Sequence, residues 1–505
     1  MTDLTIIPAG KSLQEPVFEA RHLINGTWQT SADGASFERQ SPAHLVTVTH
    51  AAKGGVAETE AAIAAARAAF DDGRWSRLSG KERATVLLKV ADLIERDLER
   101  IAMRDTLESG KPIDQARDEI AGAADLWRHA AALARTLSGD SHNTLGDDML
   151  GVVLKEPVGV AALITPWNFP FLIVSQKLPY ALAAGCTAVI KPSEMTPSST
   201  VILGELLIEA GIPDGVVNIV LGYGDPVGTT MCESEHVDMV SFTGSTGVGK
   251  AIVRASAGTL KKVSLELGGK NPQVVFPDCD LDDAADAIVF GVYFNAGECC
   301  NSGSRIIVHE DVAEALTEKV VALSRKVAFG DPLDPKTKVG AIISEAHFAK
   351  IDSYVEAARE AGAEIPLGGG ALEIPGLSGR FYGPTVVTNI SSGMAIAREE
   401  VFGPVLSVLT FKSIEEAIEL ANDASYGLSA GVWSRDVSTC LAFARRVQAG
   451  TVWTNTWMDG YSELPFGGVK QSGLGRELGR YGLEEYLEVK TVTMRIGRSR
   501  APWVE

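Results

Sequence analysis

Val158-Gly159-Val160-Ala161-Ala162-Leu163-Ile164-Thr165-Pro166-Trp167-Asn168-Phe169-Pro170 is the stretch from which the fold can be read. Its first seven residues are small or apolar with no polar alternation, and Thr165-Pro166 ends the run. A short continuous apolar run suits a strand buried on both faces, as in a parallel sheet. Further runs recur at Thr187-Ala188-Val189-Ile190 and Val216-Val217-Asn218-Ile219-Val220, with helical stretches between. This alternation is that of a doubly wound α/β fold. In such folds the loops after parallel strands face the ligand crevice.

Working toward the N-terminus, 149–155 reads as a strand after a polar, turn-rich stretch from 138. Helices are expected at 114–137, at 81–104 and in the alanine-rich 58–70. In the second of these, Val86, Leu87, Val90, Leu93 and Ile94 share one side. His22 to Trp28 reads as strand and turn, with Asn25-Gly26 at the turn. Residues up to about 19 read as a loosely held arm.

Toward the C-terminus the alternation restarts at Gln273-Val274-Val275-Phe276, with helices expected at 282–295 and 312–328. A domain boundary is therefore expected near Leu265, with a second α/β domain after it. The glycine- and proline-rich 362–383 reads as surface loop, and 488–495 alternates like an edge strand, which normally needs covering. No internal repeat or low-complexity tract is present.

A chain of 505 residues has room for two or more domains, and 45% hydrophobic with 22% charged residues is ordinary for a globular protein. Lys+Arg 46 against Asp+Glu 65 gives a net charge of -19, which argues against a nucleic-acid partner. Six scattered cysteines do not make a disulfide framework and suit a reducing compartment. Residues 1–10 lack the basic and apolar regions of a signal peptide, and no apolar run reaches membrane-span length. A cytoplasmic enzyme is expected.

Chemistry concentrates in Phe294-Asn295-Ala296-Gly297-Glu298-Cys299-Cys300-Asn301-Ser302-Gly303-Ser304-Arg305. Vicinal cysteines make a poor structural disulfide. A metal site would need more Cys or His at ligand spacing, and none is near, so no metal is expected. A buried inert thiol and a nucleophile remain. Leu265-Glu266-Leu267-Gly268-Gly269-Lys270 adds a carboxylate in a glycine turn, able to act as a general base. Asn168 is either a turn asparagine or a donor to a developing oxyanion. Lys191-Pro192-Ser193-Glu194 is either a solvated turn or a ribose-binding loop. Phe242 to Lys250 carries P-loop spacing, but Ala251 stands where a magnesium-holding Ser or Thr belongs. Its glycine-serine loop can still hold a diphosphate at a helix start. Glu400-Val401-Phe402-Gly403-Pro404 is otherwise an acidic helix end before a strand.

Taken together, and in order along 23–495, these motifs resemble the NAD(P)-dependent aldehyde dehydrogenases. The resemblance implies Cys300 as nucleophile, with Asn168 and the Cys300 N–H as oxyanion hole and Glu266 as base. Lys177 and Glu477 fall at a proton path proposed for that family. The family's cofactor contacts fall on Ile164, Trp167, Lys191, Ser193, Glu194, Phe242, Gly244, Ser245, Leu267, Glu400 and Phe402. Glu194 repels a 2′-phosphate, so NAD is favoured over NADP. The resemblance further implies an NAD-binding domain at 20–137 and 157–265, and a catalytic domain at 266–465. A small β oligomerisation arm at 138–156 and 484–497 would build a dimer or tetramer.

The expected substrate is a small-molecule aldehyde, in a tunnel lined by Phe169, Ile173, Phe294, Trp457 and the loop through Gly460. Asp459 and Glu463 beside aromatics raise a cationic aldehyde as one possibility. Gln176, where many betaine aldehyde enzymes carry tryptophan, argues for an uncharged one. Two other functions compete: a dehydrogenase passing its thioester to coenzyme A, which generally lacks this glutamate, and a non-catalytic binding or structural protein that kept the fold.

Overall fold

The computed structural model describes residues 4–10, 13, 15–497 and 503–504. Two mainly parallel sheets organise it. Across the first, the strands run Gly473–Leu474, Lys262–Glu266, Met239–Thr243, Val160–Ile164, Thr187–Lys191, Val217–Ile219, His22–Ile24 and Thr27–Gln29. Every residue of Val160–Ile164, Thr187–Lys191 and Met239–Thr243 is buried, which is why these runs lack polar alternation.

Chain order decides where the crevice falls. From Val160–Ile164 the chain adds Thr187–Lys191 and Val217–Ile219 on one side, then returns to place Met239–Thr243 and Lys262–Glu266 on the other. Val160–Ile164 is thus the switch point, and the loop after it opens into the crevice. Parallel register aligns the carboxyl ends: Ile164 lies opposite Lys191 and Phe242, and Thr243 opposite Glu266.

The second sheet runs Glu364–Leu367, Thr385–Thr388, Val405–Phe411, Arg305–His309, Pro272–Val275, Ser429–Trp433 and Thr451–Thr454. Residues 267–271 join it to the first. Helix Ile113–Thr136 packs on Gly80–Arg96 and Pro170–Ala184 against the first sheet. Buried indoles here are satisfied: Trp127 of Ile113–Thr136 donates to Ser175 Oγ (3.1 Å), and Trp75, in the turn before Gly80–Arg96, to the Leu182 carbonyl (3.0 Å). A third sheet stands apart, with Met149–Pro157 antiparallel to Leu487–Arg495 and Asp140–His142 beside it.

Several local expectations need correcting. The amphipathic 81–104 is two helices, Gly80–Arg96 and Leu98–Ser109, broken at Asp97 (φ -99, ψ 13). Part of the N-terminal arm is ordered by pairing: Thr5–Ile7 runs parallel to Ala328–Gly330, and Phe18–Ala20 to the strand Thr47–Ala52. Residues 1–3, 11, 12 and 14 of that arm lie outside the described residues. Within 362–383, Phe381 and Tyr382 are buried in a short hairpin with Ala371–Leu372, so the region is only partly surface loop.

Candidate active site

The carboxyl edge of the first sheet and the loop 294–300 meet at a cleft of ≈ 660 Å³, solvent-open space included. Trp167, Asn168, Gly244, Ser245, Glu266 and Cys300 line it, and so do Leu267, Glu400 and Phe402. Three motifs far apart in the chain therefore share one space.

The loop bearing Cys300 is wound left-handed. Helix Leu281–Tyr293 ends, and Asn295 (φ 52), Ala296 (φ 56) and Gly297 (φ 72) follow with positive φ. Non-glycine residues there are strained by an order of 1 kcal/mol or more and need external holding. At Gly297 a Cβ would come within 2.1 Å of the Gly403 carbonyl oxygen, so only glycine fits. Asn295 supplies the holding. Its N–H donates to Gln115 Oε1 (3.2 Å), and its Nδ2 donates to the carbonyls of Asn168 (3.1 Å) and Glu298 (3.0 Å). Asn168 Nδ2 also donates to the Glu298 carbonyl (3.0 Å). Asn271 Nδ2 holds the carbonyls of Cys300 (2.8 Å) and Ser302 (2.9 Å).

The two cysteines separate. Cys299 is buried among Phe169 and Ile173, with its Sγ donating to Asn301 Oδ1 (2.7 Å). Cys300 is partly exposed to the cleft. Its thiol is held well above the usual range, first by a hydrogen bond with Cys299 and then by burial. At neutral pH it is a thiol and needs a base before it can attack.

Glu266 is 4% exposed, and neither carboxylate oxygen has a hydrogen-bond partner among the described residues. Burial first, then the charge of Glu477, hold its carboxyl well above the usual range, while Lys177 opposes. A Cβ at Gly467 would reach within 2.5 Å of Glu266 Oε1, so that glycine makes room for the carboxylate. Lys177 Nζ donates to Glu477 and to Ser241 Oγ (3.0 Å), and both charged groups are buried.

The cofactor expectations divide in two. Ser245 caps helix Thr246–Ser256, accepting from Val248 N (3.4 Å), and Gly244 precedes it. Glu400 Oε1 accepts from Gly269 N (2.8 Å), and a Cβ at Gly268 would lie 2.5 Å from Glu400 Oε2. Phe402 (φ 61) meets Trp167 edge-on at 5.5 Å. Ile164, Lys191, Ser193, Glu194 and Phe242 lie along the same sheet edge but do not line this cleft. Lys191 is 3% exposed, with its Nζ 3.7 Å from Glu194. A glycine-serine helix start, a carboxylate able to accept from ribose hydroxyls and an edge-on aromatic pair fit a dinucleotide.

The sequence reading missed His347 and Lys350, which also line the cleft. His347 Nε2 donates to the Phe402 carbonyl (2.6 Å), and burial pushes its pKa down to about 4. Lys350 Nζ donates to the Glu400 carbonyl (3.1 Å). They share a face of helix Glu345–Glu360 at i,i+3 spacing, but no strand precedes it to flag a crevice.

Phe169 and Phe294, expected to face the substrate, stack at 6.0 Å and cluster with Ile173 and Cys299. Trp457 is 4% exposed in the core of the second sheet, and Cβ atoms at Gly291 and Gly431 would come within 2.6 and 2.8 Å of its ring. Its neighbour Met458 (φ 62) packs against both that core and the Phe169–Phe294 cluster. Asp459 is exposed, and its carboxylate accepts from Thr456 Oγ1.

Comparison with known proteins agrees with this geometry. Residues 28–492 match the model of the aldehyde dehydrogenase family. The chain is 43% identical to a betaine aldehyde dehydrogenase of Bacillus subtilis, covering 95% of this chain and 98% of the relative. It is 51% identical to an NAD-dependent aldehyde dehydrogenase structure from Sinorhizobium meliloti, with a TM-score of 0.97 and 99% of both chains covered. A Staphylococcus aureus betaine aldehyde dehydrogenase in complex with NAD+ is 38% identical with a TM-score of 0.93, over 96% of each chain. The chain belongs to the aldehyde dehydrogenase family and is an NAD-dependent enzyme that oxidises an aldehyde to the carboxylic acid.

Proposed function

We propose that Cys300 is the nucleophile of this oxidation, Asn168 and the Cys300 N–H its oxyanion donors, and Glu266 its base. The observation that carries this is the convergence of Cys300, Glu266 and Asn168 on one cleft. Glu266 takes the thiol proton, and the thiolate adds to the aldehyde carbon, giving a thiohemiacetal whose oxyanion faces Asn168. NAD, when bound, supplies the acceptor for the hydride that leaves this carbon. The thioester left on Cys300 is hydrolysed by a water that Glu266 deprotonates. Lys177 and Glu477 lie beside Glu266 as the route by which its proton leaves.

Ser245 and Gly244 would hold the diphosphate. Lys191, Ser193 and Glu194 would hold the adenosine ribose, beside Ile164 and Phe242. Glu400 would hold the nicotinamide ribose, with Leu267, Trp167 and Phe402 around the ring. Residues 20–137 and 157–265 would form the cofactor domain and 266–465 the catalytic domain. Glu266 makes transfer to coenzyme A the lesser reading. The six cysteines, all free, support a reducing cytoplasm, and no described helix is long and apolar enough to cross a membrane.

The substrate is an uncharged aldehyde with an apolar or aromatic body. Phe169, Phe294, Ile173 and Met458 form an apolar wall. Lys111 Nζ already lies 4.4 Å from the Phe169 ring centroid, which weakens that ring's attraction for another cation. Asp459 is engaged with Thr456. Turnover numbers on a neutral aldehyde and on 4-aminobutanal or betaine aldehyde decide the point. A higher kcat/KM for the cations overturns this substrate reading.

Cys300→Ala tests the chemistry. NADH production is expected to fall about 10³-fold or more while NAD affinity is kept. Substantial residual activity, or an equal loss in Cys299→Ala, moves the nucleophile elsewhere.

A further inference from the structure

The turn that carries Glu266 ends at Lys270, and Lys270 does not line the catalytic cleft. We propose that Lys270, Arg305 and Ser429 form a binding site for one small inorganic anion of halide size. The three residues are 2%, 2% and 1% exposed. Lys270 Nζ, Arg305 Nε and Ser429 Oγ have no hydrogen-bond partner among the described residues. All three residues line one narrow void of ≈ 210 Å³, solvent-open space included. It admits a water or one ion of similar size.

Charge points to an ion rather than a water. Two buried cationic groups line the same void, and no carboxylate lines it. The guanidinium gives two of its nitrogens to the carbonyls of Leu420 (3.2 Å) and Ala421 (3.0 Å), which leaves Nε. Carbonyls satisfy its donors but not its charge. Burial first, then Arg305, push the Lys270 ammonium down to about 7, with Glu400 and Glu399 opposing from outside the void. Asp423 plays the same opposing part for Arg305. An uncompensated buried cation is costly, and an anion between two of them removes the cost while accepting from the unpartnered donors. A water leaves the charges facing each other and lets Lys270 lose its proton.

The site borders the nucleophile's clamp. Asn271 follows Lys270, also lines the void, and holds the Cys300 carbonyl. Its Oδ1 accepts from Ser429 N (3.1 Å). Filling the void therefore braces the clamp from its other end.

The experiment uses the full chain. Crystals grown in sodium bromide are measured at the bromine absorption edge. An anomalous peak within hydrogen-bond reach of Lys270 Nζ and Arg305 Nε is expected. In solution, chloride or bromide raises the melting temperature over gluconate at equal ionic strength. Lys270→Met reduces that halide increment several-fold. Ser429→Ala, a smaller change that carries the comparison if the lysine variant does not fold, weakens it. Ordinary water density with no bromine signal overturns the proposal, and so does an unchanged halide increment in the folded variants.

Discussion

At the scale of single residues, burial rather than position sets the chemistry. Glu266 has two carboxylate oxygens without a hydrogen-bond partner among the described residues and a raised pKa, so it becomes a base only above that raised value. kcat/KM is expected to fall as pH falls through it. In Glu266→Gln the rate should drop about 10²–10⁴-fold and lose this acid limb. A pH–rate series on both proteins checks it, and an unchanged limb removes Glu266 from the reaction.

Asp105 makes the same physics a stability statement. It is fully buried, and burial raises its pKa to about 7 against the opposing Lys111 charge and a Ser199 hydrogen bond. The folded state thus keeps a proton that the unfolded chain releases near pH 4. Stability from this group is complete below about pH 4 and is lost as pH rises to about 7, by at most about 4 kcal/mol. Asp105→Asn should match the wild type at low pH and exceed it above pH 7 in denaturant melts. Equal stability at both ends contradicts this.

Which residues were legible follows from whether a side chain acts through its own motif. Glu266 and Asn168 sit in short glycine- or proline-bearing segments at or after strand ends, and Cys300 in a glycine-bearing loop after a helix; such segments announce themselves. Asn295 acts through a left-handed backbone that no pattern reveals. His347 and Lys350 come from a helix with no other tie to the cleft.

At the scale of elements, the buried parallel strands were readable because both of their faces are covered. The arrangement at their ends was not, because it depends on contacts across more than a hundred residues. Asn295 joins three elements: helix Ile113–Thr136 through Gln115, the loop after Val160–Ile164 through the Asn168 carbonyl, and its own loop through Glu298. Removing its side chain frees the oxyanion donor and the nucleophile to drift apart. Asn295→Ala is expected to lower kcat by about 10–10²-fold with NAD affinity nearly unchanged. Stopped-flow hydride transfer and NADH fluorescence separate the two effects. A loss confined to cofactor binding would place Asn295 elsewhere in the reaction.

At the scale of the whole molecule, the third sheet has no core of its own. Met149–Pro157 and Leu487–Arg495 pair over nine residues, yet Leu154, Val489 and Met494 are exposed, and so is Ile496 just beyond. Asp140–His142, at one edge, is exposed throughout. A long pair of strands with apolar side chains in water and an open edge invites another strand. A second copy of the chain is the occupant that the family resemblance implies. We therefore expect a dimer or tetramer joined through this sheet. Deleting residues from 487 onward removes the central strand's long partner and the exposed Val489 and Met494. The truncated chain should dissociate or aggregate in multi-angle light scattering, while the intact chain runs at two or four times its own mass. Lys490→Glu, beside Glu156 on the facing strand, adds like charge without deleting backbone and should weaken assembly less. A full-length monomer at micromolar concentration would mean that the arm serves something other than self-association.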